Sequence, residues 1–199
     1  MRFAGFNPLR LNNGSMNLPG LETFVVDGSV TVAQGSALKI GVADGVDIAD
    51  ANSDEIYGYC MGFIIKPGDL NLPLELVSTN ATYNDGTYTA ARDGDTFAAA
   101  ADNATDKQIS ALVMPARGLI VSGHLSADAG TTTGSNIPGY FIDISSSGNA
   151  VLLDETSAST TSANYSLTTG MSANSAVDPA FPITDDRRIL VIANEVTGT

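Results

Sequence analysis

Tyr57-Gly58-Tyr59-Cys60-Met61-Gly62-Phe63-Ile64-Ile65 is the stretch that decides the fold class of this chain. Tyr57, Tyr59, Met61, Phe63 and Ile65 recur at every second position, with Gly58, Cys60 and Gly62 between them. A period of two is that of a β-strand, whose successive side chains leave opposite faces. The expectation is one bulky face and one small face, the latter flat enough to lie against another segment.

Short strands separated by turns continue on both sides. Val30-Thr31-Val32 and Leu38-Lys39-Ile40-Gly41-Val42 alternate in the same way, and Gln34-Gly35-Ser36 between them predicts a hairpin. Lys66-Pro67-Gly68-Asp69, Asn84-Asp85-Gly86 and Arg92-Asp93-Gly94 are turn sequences. They leave strands at Leu74-Glu75-Leu76-Val77, Thr87-Tyr88-Thr89 and Asp95-Thr96-Phe97. Further strands are expected at residues 109–114, 118–125 and 188–193, and a pair at 138–144 and 150–153. Residues 98–106 are the only helix-friendly run, with room for at most one short helix. From Thr156 to Pro182 the chain reads as a long Ser/Thr-rich surface loop carrying one weak strand, Tyr165-Ser166-Leu167. The pattern predicts an all-β protein with a β-sandwich or barrel-like core. Three regions follow: an extended N-terminal arm (1–22), a β lobe (23–97) and a second β lobe (98–199), with a weak boundary near 98–108 that also allows a single domain.

The arm mixes Asn, Pro and Gly with Phe3, Phe6, Leu9, Leu11, Met16 and Leu18, and fits neither a helix nor a strand period. Its apolar side chains need a surface, and two remain open: the chain's own domain, or a neighbouring subunit or other protein. In the second case Phe3, Phe6, Leu9 and Leu11, with Tyr57 and Tyr59 from the alternating strand, are the candidate contact residues.

Composition narrows the partners. The 199 residues are 43% hydrophobic, enough for a substantial core, and only 16% charged. Nine Lys and Arg against 22 Asp and Glu give a net charge of -13, which disfavours nucleic acid and anionic membrane surfaces. No run approaches the roughly 18 apolar residues of a membrane span, and the opening Met-Arg-Phe-Ala-Gly-Phe reads as a cytoplasmic product without a signal stretch. The lone Cys60 excludes an intrachain disulfide and sits in an apolar strand, where a buried thiol is expected rather than a nucleophile.

Chemistry is sparse. His124 is the only histidine and has no second His or Cys with which to build a zinc site; no Gly-x-Ser-x-Gly elbow supports a Ser-His-Asp reading. Two acidic clusters, Asp44, Asp47, Asp50, Asp54 and Glu55, then Asp93, Asp95, Asp102 and Asp106, lack calcium-loop spacing and read as solvated loops. A cation at a subunit interface stays open. Phosphate-binding glycine loops are missing, and no cofactor is expected. Asn-x-Ser/Thr matches at Asn13, Asn80, Asn103 and Asn164 are expected to be unglycosylated.

Phe24 to Val77 resembles the small capsid decoration, or cement, proteins of tailed bacteriophages. The shared succession is Val30-Thr31-Val32, a glycine turn, Leu38-Lys39-Ile40, an acidic loop, the glycine-spaced strand at Tyr57 to Phe63 and a Pro-Gly turn. The resemblance implies a non-enzymatic virion structural protein on the capsid exterior, made in the host cytoplasm. Its partner would be the major capsid protein, and its self-association a homotrimer. Two other classes are weighed: a head-fibre or tail module with a receptor or glycan target, and a carboxylate-dependent hydrolase. Fibres usually carry long repetitive stalks and hydrolases a buried polar cluster, neither of which the sequence displays.

Overall fold

The computed structural model describes residues 5–41, 45–51, 54–65, 75–76, 81–83, 86–89, 95–101, 103, 109–124, 141–147, 150–159, 165–167 and 188–194. Among the described residues sixteen strands, numbered in chain order, form three sheets whose ladders are antiparallel. The central sheet has the order β2 (Glu22–Val25), β11 (Ile109–Pro115), β6 (Gly58–Ile65), β4 (Ala37–Ile40), β5 (Val46–Ile48), with β7 (Glu75–Leu76) added to β6. A smaller sheet runs β3 (Thr31–Ala33), β10 (Thr96–Ala99), β9 (Gly86–Thr89), β8 (Ala81–Tyr83). The third runs β1 (Asn7–Leu11), β12 (Leu119–His124), β16 (Arg188–Ala193), β15 (Tyr165–Leu167), β13 (Phe141–Ser147), β14 (Ala150–Ser159).

The central sheet is buried on both faces, which is why β11 alternates so little: of Ile109 to Pro115 only Leu112 and Pro115 are even partly exposed. One face carries Ala37, Tyr59 and Met114 into a core shared with Phe6, Leu119, Val121, Ile144, Leu153, Tyr165 and Val191 of the third sheet and its flank. The other carries Leu38, Cys60, Phe63, Ile109, Ala111 and Val113 into a second core with Val32, Tyr88 and Phe97 of the smaller sheet. Each large apolar side chain so buried is worth about 1.5–3 kcal/mol relative to exposure. Val26, directly after β2, bridges Val46 in parallel, and the Asp27 N–H donates to the Val46 carbonyl at 3.0 Å. The two ends of the strand order thereby meet, curling the sheet toward a barrel. Asp27 folds its carboxylate over Gly41 and Gly45, whose missing Cβ atoms leave the room for it.

Three expectations need correcting. The large residues of the alternating stretch do not share one face. β6 faces Gly62 with Leu112 and Cys60 with Val113, so Met61 is an extra residue and the ladder bulges there. The bulge reverses the alternation, sending Tyr59 and Met61 to the first core but Cys60 and Phe63 to the second. Residues 30–42 are also not a hairpin, because β3 pairs with β10 while β4 pairs with β5 and β6. The intervening corner carries the chain from one sheet to another. Gly35 holds it at φ 92°, the Ser36 N–H donates to the Ala33 carbonyl at 3.0 Å, and buried Gln34 donates through Nε2 to the Met61 carbonyl at 2.7 Å. The third correction concerns the arm. Asn7 to Leu11 is a strand paired with β12 and Phe6 is fully buried, so this part belongs to the chain's own fold.

Other readings agree with the ladders. β9 and β10 pair, with Arg92-Asp93-Gly94 between them outside the described residues; β13 and β14 pair from Ser147↔Ala150 onward, and the weak strand at Tyr165 exists. Tyr165 is nevertheless fully buried rather than superficial. In the helix-friendly run Ala98 and Ala99 end β10 and most of the remainder lies outside the described residues, as does the Lys66 to Asp69 turn; of the expected 156–182 loop, residues 156–159 instead continue β14, and most of the rest lies outside the described residues.

Candidate functional site

The expected contact residues separate on folding. Phe3 lies outside the described residues. Phe6 and Tyr59 are fully buried, their ring centroids 5.4 Å apart, and Phe6 also stacks on Tyr165. They form the centre of the first core and offer no surface to a partner. Leu9 and Leu11 are partly buried in β1, Leu11 against that same core. Tyr57 alone among them stands half-exposed at a cleft. The sequence could not separate Tyr57 from Tyr59, because neither the bulge nor the third sheet is visible in a local period.

Cys60 is buried, and loss of water pushes its thiol up to about 12, so it holds no thiolate at neutral pH. Tyr59 and Tyr165 place their hydroxyls close together inside the core; burial raises both phenols above the ordinary range. His124 ends β12 opposite Arg188 in the ladder to β16. Among the described residues no three His, Cys, Asp or Glu side chains group as a metal site.

The first acidic cluster is organised by a cation of the chain's own. Lys39 projects from β4 toward Asp54 at 3.0 Å, Asp50 at 3.9 Å and Asp47 at 4.0 Å. Asp54 Oδ2 also accepts the N–H groups of Asp50 and Ala51, each at 3.0 Å, tying down the loop that leads to Tyr57. Partial burial pushes Asp54 upward, but the Ala51 N–H and the Lys39 ammonium outweigh it and hold the carboxyl below its usual range. For Lys39 desolvation acts downward and is outweighed by Asp54, Asp47 and Asp50, which raise its pKa. Asp44, Asp93, Asp102 and Asp106 lie outside the described residues.

A second constellation was missed at the sequence level. Tyr57 donates its hydroxyl to Glu22 at 2.5 Å and meets Phe24 edge-on at 5.1 Å, so β2 supports the ring. The hydrogen bond to Glu22 raises the Tyr57 phenol above its ordinary value. Tyr57 and Glu55 together separate two clefts. The larger, about 470 Å³, is walled by Ile56, Pro115, Ala116 and Ala193, with Arg117 and Asn194; the smaller, about 270 Å³, adds Lys39, Ile40 and Asp54. Its signal lies in pairings between distant strands, which no spacing encodes. Asn103, an Asn-x-Thr match expected to be unglycosylated, likewise showed no structural role in the sequence. It is buried, donating through Nδ2 to the Val26 and Ile109 carbonyls and accepting the Ile109 N–H, so its amide carries the join between β2 and β11.

Among the described residues four large apolar side chains are exposed: Met16, Leu18 and Leu21 between β1 and β2, at 73%, 38% and 49%, and Ile40 of β4 at 48%. Among the described residues no helix is long and apolar enough to cross a membrane. No protein-family model, curated protein or solved structure matches the chain.

Proposed function

We propose that this chain is a non-enzymatic structural protein that docks on the outside of a tailed-phage capsid, as a trimer, and reinforces the shell. The observation that carries the docking part is the exposed series Met16, Leu18 and Leu21 on a segment held at both ends by paired strands. Three large apolar side chains standing in water at one place suit a surface that another protein covers. The fold supplies what such a role needs, two packed cores and a chain whose thiol and principal lysine are used internally. The capsid and the trimer come from the resemblance of Phe24 to Val77 to cement proteins.

The test is calorimetry of emptied mature shells lacking this protein, with and without the purified chain added. The shell transition is expected to rise on addition, and to rise less with Met16, Leu18 and Leu21 all changed to Ser. A transition unmoved by the wild-type chain would contradict the reinforcing role.

A further inference from the structure

The outer edge of β2 is open over part of its length. Val26 donates its N–H back to the Ile109 carbonyl at 3.4 Å, whereas Asp27 donates outward to Val46 at 3.0 Å. Backbone groups of successive strand residues face opposite edges, so Glu22 and Phe24 face β11 with Val26, while Thr23 and Val25 face away with Asp27. Gly45 sits so close to the Val25 carbonyl that a Cβ there would lie 2.8 Å from its oxygen, which marks where the closure with β5 ends. Thr23 is exposed beyond that point, and among the described residues no group pairs with its outward N–H or carbonyl. The chain leading in, residues 16–21, makes no backbone–backbone hydrogen bond among the described residues either. An open edge is a row of donors and acceptors whose natural complement is another strand, and edges that stay bare are blunted by charge, bulges or proline. Residues 11–21 contain no charged side chain. Pro19 is the one blunting residue, and its missing N–H confines pairing to residues 20–23. Met16, Leu18 and Leu21 stand exposed along the same run, so unused backbone groups and apolar side chains coincide.

We infer that the outer edge of β2 accepts an extended segment of the partner protein as an added strand, which pairs with Thr23 and lays alternate apolar side chains against Leu21 and its exposed neighbours. The backbone groups define the occupant as an extended chain rather than a helix or a small molecule. A second copy offering the same edge would pair about a two-fold axis and close as a dimer, which the proposed trimer does not contain. The inference rests on the reading of the chain as a docking protein and adds how the partner is held.

The test is hydrogen–deuterium exchange of the full chain, free and bound to emptied mature shells lacking this protein, read by mass spectrometry on peptides covering residues 16–25. In the free chain the amides of residues 20, 21 and 23 should exchange fast at every concentration, and on the shells they should lose that fast exchange. Thr23→Pro removes an N–H that β11 does not use, so its melting temperature should stay close to that of the wild type while shell binding weakens about tenfold. Thr23→Val keeps the N–H and should bind as the wild type does. Exchange on the wild-type chain decides the matter even where the proline variant misfolds. Shell binding with these amides still exchanging fast, or full binding by a folded Thr23→Pro chain, overturns the inference and leaves docking standing. Slow exchange in the free chain, whether at every concentration or growing with it, gives the edge to the chain itself or to a second copy and likewise overturns it. A wild-type chain that binds no shell contradicts the docking reading, and the inference falls with it.

Discussion

The ring of Phe6 stacks on that of Tyr165 with centroids 4.9 Å apart and planes inclined by 23°, joining the beginning of the chain to a strand late in it. Both are fully buried and both meet Tyr59, which belongs to the central sheet. This aromatic trio ties the third sheet to the central one. Phe6→Ala should therefore cost about 3–5 kcal/mol of stability, and deletion of residues 1–11, which also removes β1, should produce early melting or aggregation. Thermal unfolding followed by circular dichroism checks both. A truncated chain that melts normally would mean that the N-terminal segment is an appendage after all.

Lys39 and Asp54 predict a pH dependence with a definite sign. Asp54 has its folded pKa below its unfolded one, so its contribution is present above about pH 4 and is lost as the pH falls through the lower folded value. Lys39 has its folded pKa raised, so its contribution is present below about pH 10 and is lost as the pH rises through the folded value. Carboxyl-detected NMR titration should find Asp54 ionising below the ordinary range, and Lys39→Met should move that midpoint upward. An unmoved midpoint would show that the ammonium does not act on Asp54.

Gly41 and Gly45 face Asp27 so closely that a Cβ would lie 1.7 Å from one carboxylate oxygen and 2.3 Å from the other. Either glycine changed to Ala should displace Asp27 and loosen the Val26–Val46 closure, at about 1–3 kcal/mol each. Urea unfolding measures the loss. In a Gly41→Ala chain, adding Asp27→Ala should recover part of it, since the clash is then relieved.

Cys60 should resist thiol reagents at neutral pH in the folded chain and react fully in denaturant, because burial keeps it protonated. Rapid labelling of the native protein would contradict its place in the second core.

β9, β10, β13 and β14 were legible from the turn residues that bound them, whereas β1, β2, β5 and β8 carry no local pattern that marks them as strands. What stayed hidden is non-local. Met61 as a bulge depends on β11 opposite it, and the corner at Gln34 looks locally like any hairpin turn. Phe6 and Tyr165 sit in surroundings rich in Asn, Gly, Ser and Thr that suggest surface, yet each is buried by strands from elsewhere. The Tyr57 cleft was half legible: Tyr57 and its chain neighbour Glu55 were singled out, but Glu22 and Ala116 are brought to Tyr57 only by sheet pairing.

The most direct test of the docking account is co-sedimentation of the purified chain with emptied mature tailed-phage capsids. The account predicts saturable pelleting at a fixed ratio to the shell subunit, in multiples of three at each site, and reduced pelleting when Met16, Leu18 and Leu21 are replaced by Ser. A chain that stays in the supernatant at every concentration would contradict it.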